Sequence, residues 1–170
     1  TDKLTSLMNR ASFEDLVKNA MVKNPDVGMM IICDVDNFKL VNDNYGHQEG
    51  DAVLVKYADM LKHFFNREGN YTARLGGDEF AVFIGPPIAP ETADAMMRRY
   101  MAAQAEAFPT DTYEGFEVTT SVGCAFVKDA DSFETLYKYA DSALYRVKFA
   151  GKNNFLIHDP AVYTENKQQA

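Results

Sequence analysis

A continuously apolar run from Val27 to Cys33 leads directly into Asp34-Val35-Asp36. So short an apolar run, entered after Pro25, reads as a buried β-strand that delivers carboxylates at its C-terminal end. Side chains alternate along a strand, so Asp34 and Asp36 point to the same face. Any fold for this chain has to bury that strand and find work for the acids at its tip.

The flanking pattern supplies the layers. Phe13, Leu16, Val17, Ala20 and Met21 have helical spacing, with Ser12 as the expected N-cap. Leu54, Tyr57, Ala58, Leu61, Phe64 and Phe65 mark a second helix that stops at Glu68-Gly69-Asn70. Tyr71, Ala73, Leu75 and then Phe80, Val82, Ile84 alternate around Gly76-Gly77, which predicts a β-hairpin closed by a two-residue primed turn. After a proline-containing loop from Gly85 to Pro90, Ala93, Met96, Met97, Tyr100 and Met101 form another helix face. Phe116 to Val127 predicts a long strand bent near Gly123. Asp131 with Glu134 resembles a capping box for a helix through Leu136, Ala140, Ala143, Leu144 and Val147, ending before Gly151. Asn153 to Ile157 predicts a last strand. This order predicts one α/β sandwich, a mostly antiparallel sheet with helices packed against it.

Composition narrows the functions. At 170 residues the chain has length for one substantial core, expected over residues 1–158, with a polar tail over 159–170. No apolar run is long enough for a membrane span, so direct membrane contact is not expected. The sequence shows no signal peptide, and Cys33 and Cys124 lie in apolar strand-like runs, as buried reduced thiols of a cytoplasmic protein would. A formal net charge of -8 argues against DNA or RNA binding through the backbone, which relies on clustered Lys and Arg. A small phosphorylated ligand stays compatible, because a divalent cation reverses the local sign of an acidic site.

Three acidic groups flank sharp structural changes: Asp34-Val35-Asp36, Asn42-Asp43 through Asp51, and Asp78-Glu79 beside the glycine turn. In a regular strand Asp78 and Glu79 point apart, so one of the two is expected to reach Asp34. Taken singly, each group also fits strand-end capping or an exposed turn. Two carboxylates from separate strands, with the Val35 carbonyl, make a hard oxygen site of the kind Mg²⁺ or Mn²⁺ takes when phosphate oxygens and water complete the octahedron.

Arg74-Leu75-Gly76-Gly77-Asp78-Glu79-Phe80 carries the full R-x-G-G-D-E-F pattern, and further blocks occur in order. These are Asp2-x-Leu4-Thr5-x-Leu7-x-Asn9-Arg10, the run from Asp34 to Asp51 containing Phe38-Lys39, Asn42-Asp43, Gly46-His47 and Gly50, then Ser121-x-Gly123, and Ala140-Asp141 through Gly151-Lys152-Asn153. Over residues 2 to about 157 the chain resembles the GGDEF family of diguanylate cyclases. The resemblance implies a ferredoxin-like fold, similar to nucleotidyl cyclase and polymerase palm domains. It implies condensation of two GTP into cyclic di-GMP across a homodimer, with two Mg²⁺ or Mn²⁺ ions per half-site and a sensory or regulatory domain upstream. A catalytically silent domain that binds GTP and regulates a partner is the alternative.

By the same resemblance Asp34, Val35, Asp78 and Glu79 hold metal, and Asp78 and Glu79 are catalytic. Asn42 and Asp51 read guanine, since an amide and a carboxylate can meet its O6 acceptor and its N1 and N2 donors. Lys39, Lys148 and Lys152 contact the triphosphate, His47 touches substrate, and the backbone of an Asn37-Phe38-Lys39 turn cradles phosphate. One position departs from the family. Its product-inhibition motif R-x-x-D falls on Arg67-Glu68-Gly69-Asn70, where asparagine lacks the negative charge, so feedback by the product is doubtful. Lys152 stands where the family often has Arg, keeping the charge without the bidentate fork.

Overall fold

The apolar run becomes β1 (Met29–Asp36), buried along its whole length. It is the middle of five strands, between β3 (Glu79–Ile84) and β4 (Thr119–Phe126), with β2 (Asn70–Gly76) and β5 (Asn154–Ile157) at the edges, in the order β2-β3-β1-β4-β5. β1 pairs antiparallel with both neighbours, β2 pairs antiparallel with β3, and β5 runs parallel to β4. The structure is a computed structural model and describes residues 1–162, so most of the expected tail lies outside the described residues.

Among the described residues, α1 (Arg10–Lys23), α3 (His47–Phe64), α4 (Pro90–Ala107) and α5 (Phe133–Phe149) pack on the sheet, and the short α2 (Phe38–Tyr45) packs on α3. Alternation in β1 divides the core. Met29, Ile31, Cys33 and Val35 join Tyr57 and Leu61 of α3 and Met97 and Tyr100 of α4 on one face. Met30 and Ile32 join Phe13 and Val17 of α1 and Leu136, Ala140 and Leu144 of α5 on the other. Each large side chain buried here contributes about 1.5–3 kcal/mol. The ferredoxin-like, palm-type α/β architecture read from the sequence is the one observed.

Several local expectations need correction. The α1 cap is Asn9, whose Oδ1 accepts from the Ser12 N–H at 2.9 Å, not Ser12 itself. The α5 cap is Ser132, whose Oγ accepts from the Thr135 N–H at 3.1 Å, not Asp131. The hairpin turn is shifted by one residue: Gly76 pairs with Glu79 after a bulge near Arg74, leaving Gly77-Asp78 as the two-residue loop, with Gly77 at φ 51°. Asn37-Phe38-Lys39 is not a free turn but the cap and opening of α2, an element absent from the sequence reading. Gly123 does not bend β4, whose pairing with β1 runs unbroken from Thr119 to Phe126. A Cβ at Gly123 would lie 2.0 Å from the Ala140 carbonyl oxygen and 2.4 Å from the Leu144 nitrogen, so this glycine lets α5 lie directly on the sheet.

A buried hydroxyl chain ties the first face to the strand tip. Tyr57 Oη lies 2.5 Å from Tyr100 Oη and 2.6 Å from Thr120 Oγ1, and Thr120 Oγ1 donates to the Asp34 carbonyl at 3.2 Å. One proton on each hydroxyl suffices if Tyr100 donates to Tyr57, Tyr57 to Thr120 and Thr120 to the backbone. Burial pushes both phenols well above their usual pKa, so they stay protonated donors.

Candidate active site

The sheet brings the acids of two distant segments to one end. Asp34 of β1 sits opposite Glu79 of β3, and the Val35 N–H donates to the Asp78 carbonyl at 3.2 Å. Asp34 and Asp36 lie on the α1/α5 face of the sheet, as alternation requires. Glu79 points to that face too, since its Oε1 accepts from Tyr137 of α5 at 2.8 Å. The hydrogen bond to Glu79, after burial, raises the Tyr137 phenol to about 12, so it remains a donor to Glu79.

The two aspartates of β1 differ in how their oxygens are used. Asp36 is saturated: Oδ1 accepts from Ser121 Oγ at 2.7 Å, and Oδ2 from Thr119 Oγ1 at 2.7 Å and the Asn153 N–H at 3.1 Å. It pins β4 and the turn after α5 to the tip of β1. Asp34, only 8% exposed, has Oδ2 bound by the Lys148 ammonium of α5, while Oδ1 is buried without a hydrogen-bond partner. An orphaned carboxylate oxygen is costly unless something cationic or protic meets it.

Asp78 stands in the hairpin loop. Burial raises its carboxyl pKa, as does the charge of Asp36, against the opposing pull of its own backbone N–H and of Arg74. Arg74 fixes the loop from below. Its Nε donates to the Gly77 carbonyl at 2.9 Å and its Nη1 to Asp2 Oδ1 at 3.2 Å, while Asp2 Oδ2 accepts from Thr5.

These atoms fit a divalent cation. Asp34 offers a bare buried oxygen, Asp78 a crowded carboxylate that added positive charge would relieve, and Val35 a backbone carbonyl. Among the described residues no three His, Cys, Asp or Glu side chains form a cage for a metal. Mg²⁺ is commonly held by one or two carboxylates, with phosphates and water completing its shell.

The remaining candidates fall into three places. Asn42 of α2 is half-buried, with its amide against Gly50 of α3, and Asp51 follows Gly50, exposed; the two helices thus bring Asn42 and Asp51 to one region. Lys39 and His47 are exposed on α2 and at the start of α3. Lys152, exposed in the turn after α5 at φ 65°, lies beside the Asn153 amide that Asp36 holds. Burial, and then the charge of Lys152, lower the Lys148 ammonium pKa. Asn37 uses its side chain structurally, donating from Nδ2 to the Glu117 carbonyl at 2.7 Å.

Arg67 and Asn70 lie elsewhere. Asn70 pairs with Ile84 at the far end of the hairpin, about 20 Å along the strand from Gly76. With Phe64, Pro86 and Arg99 they line a separate cavity of about 350 Å³. The sequence reading left Asp36, Tyr137 and Gly50 without a role. The signal for Asp36 was present in the alternation, whereas the partners of Tyr137 and Gly50 are set only by the packing of helices.

Comparison with known proteins shows the family. The family model described as "Diguanylate cyclase, GGDEF domain" matches residues 1–154. The chain is 36% identical over 171 residues to the biofilm architecture maintenance protein MbaA of Vibrio cholerae, covering 95% of this chain and 22% of that protein. It is 34% identical over 163 residues to diguanylate cyclase DgcS of Shewanella oneidensis, covering 92% and 52%. The crystal structure of the GGDEF domain of DgcB from Caulobacter crescentus in complex with c-di-GMP superposes with a TM-score of 0.82 at 28% identity, covering 92% of each chain. The chain spans between 22% and 52% of the length of such curated relatives. No helix among the described residues is long and apolar enough to cross a membrane. Sequence blocks, sheet order and the acidic strand tips converge on one assignment: the chain belongs to the GGDEF-domain family.

Proposed function

We propose that residues 1–158 form the catalytic unit of a diguanylate cyclase, which joins two GTP molecules into cyclic di-GMP and releases two pyrophosphates. The observation that carries this reading is the Asp34 carboxylate, with one oxygen on Lys148 and the other buried and unmatched, at the strand tip beside the Asp78 loop. Asp34, the Val35 carbonyl and Asp78, with Glu79 alongside, would hold Mg²⁺ or Mn²⁺, two ions per half-site. Bound there, the metal supplies positive charge for the phosphate oxygens and acidifies the attacking hydroxyl.

The residues of the chain do the rest by positioning and charge. Asn42 and Asp51 read the guanine edge, with His47 beside them. Lys39, Lys148, Lys152 and the backbone amides after Asn37 hold the triphosphate. The 3′-oxygen of one GTP forms a bond to the α-phosphorus of the other, and the bond from that phosphorus to pyrophosphate breaks. The hydroxyl proton passes to the carboxylate of Asp78, assisted by Glu79. One domain binds one GTP, so two copies must face each other, and the exchange repeats to close the ring. No Ser, Cys or His nucleophile is needed. A regulatory domain upstream of Thr1 would control that pairing, and a cytoplasmic setting would supply GTP.

The test is an enforced dimer of this chain incubated with GTP and Mg²⁺. Cyclic di-GMP and pyrophosphate are expected, and Asp78→Ala should abolish both while the domain stays folded. A dimer that binds GTP without turning it over would refute the cyclase reading in favour of a silent regulatory domain.

A further inference from the structure

The segment between α4 and β4 packs on the main core through Tyr113, Phe116 and Val118 but takes no part in the acidic site. α2 has eight residues, too few for a helix to persist on its own. It meets α3 at a single residue, Gly46, at φ 91° with open space around its Cα. Direct packing, with Val41 buried and the Asn42 amide against Gly50, sets part of the angle between α2 and α3, and the flexible junction leaves the rest to be braced from outside.

Residues 109–118 bind on both sides of that junction. At the start of α2, Asn37 Nδ2 donates to the Glu117 carbonyl at 2.7 Å. At its end, the Tyr45 ring packs against Tyr113 at 5.0 Å and Phe116 at 6.4 Å, and Tyr45 Oη accepts from the Glu114 N–H at 3.3 Å. Beyond the junction, Tyr113 Oη donates to Glu49 Oε1 in the first turn of α3 at 2.7 Å. The segment is itself anchored. Tyr113 and Phe116 stack at 5.3 Å and 4° against the main core, and Gln104, 1% exposed, donates to the Val118 carbonyl at 3.1 Å.

The two helices so joined carry Asn42 and Asp51. Glu49 lies two residues before Asp51, and Gly50 between them touches the Asn42 amide. The α2/α3 angle therefore sets the spacing between amide and carboxylate, and reading one base edge with both demands that the spacing be held. We propose that residues 109–118 are a strap that positions the guanine-reading pair, with Tyr113 as the positioning residue. This rests on the guanine-nucleotide reading given above.

The experiment compares binding of GTP and of inosine triphosphate, which lacks the 2-amino group, to the full chain with Mg²⁺, alongside thermal melts. Tyr113→Ala should weaken GTP about tenfold and inosine triphosphate about threefold at most, lowering the preference for guanine, with little change in melting temperature. Tyr113→Phe keeps the ring and loses the bond to Glu49, and should fall between parent and alanine variant. If Tyr113→Ala unfolds, the phenylalanine variant decides alone. GTP affinity within twofold of the parent, or an equal loss for both nucleotides, would overturn the strap. A parent chain that binds no GTP would instead reject the nucleotide reading and the strap with it.

Discussion

Replacing Gly123 with alanine asks whether α5 really lies on the sheet as closely as described. The new Cβ would sit 2.0 Å from the Ala140 carbonyl oxygen, 2.4 Å from the Leu144 nitrogen and 2.9 Å from the Leu144 Cα. All three are backbone atoms, so no rotamer change relieves the clash. To reach an ordinary contact of 3.4 Å the helix must lift by about 1.4 Å. A gap of about 0.5–1 Å already forfeits a quarter to a half of the dispersion energy across it. The face formed by Leu136, Ala140 and Leu144 would lose much of its packing, at a cost near the upper end of the ~1–3 kcal/mol usual for overpacking. For a chain of this size that lowers the melting temperature by about 6–12 °C. Formation of cyclic di-GMP by the proposed enforced dimer should fall as well, because α5 carries both Lys148 to Asp34 and Tyr137 to Glu79. Circular dichroism melts measure the first effect, with Gly115→Ala as reference: its Cβ meets nothing, and only its φ of 85° opposes the change, by about 1–2 kcal/mol. A Gly123→Ala protein that melts no lower than the reference would refute the close approach.

Gly50→Ala should separate stability from binding: alanine favours the helix by about 1 kcal/mol, but its Cβ would lie 1.8 Å from Asn42 Oδ1. GTP affinity should fall at least about tenfold with the melting temperature held or raised, and unchanged affinity in calorimetry would contradict the placement of Asn42. Burial pushes the Asp2 carboxyl up, yet the bonds from Thr5 and Arg74 win and hold it below its usual 3.8. Its contribution is therefore present above pH 3.8 and lost as pH falls through the lower folded value. Solvent screening keeps it to about 1 kcal/mol or less. Asp2→Asn should thus destabilise more at pH 7 than at pH 2, and an equal effect at both would remove the charge from the explanation. At the far cavity, calorimetry with cyclic di-GMP should find weak or absent binding, and tight binding that depends on Arg67 would show that Asn70 suffices in place of the acid.

What the sequence reveals follows how local each cause is. The apolar run to Cys33 and the alternation around Gly76-Gly77 are short-range patterns, and both produced the strands expected. Caps slipped by one or a few residues because Asn9 and Ser12, or Asp131 and Ser132, are all residues that can cap, and the helix axis chooses among them. α2 escaped notice because Asn42, Asp43 and Asn44 are poor helix formers, and contacts with residues 109–118 hold it instead. The acids at the strand tips were legible as candidates, since D-x-D alternation and the signature turn are written in the chain. Their partners were not: Lys148 lies 114 residues from Asp34 and Tyr137 lies 58 from Glu79. Only the laying of α5 across β4 at Gly123 brings either pair together.

The most direct measurement is a crystal structure of the chain with Mn²⁺ and a non-reacting GTP analogue, with manganese located by anomalous scattering. The expected peak touches Asp34 and Asp78 carboxylate oxygens together with the Val35 carbonyl and phosphate oxygens of the analogue. Manganese and triphosphate bound away from Asp34, or touching only one of the two aspartates, would contradict the idea that β1 and the hairpin jointly hold the nucleotide's cation.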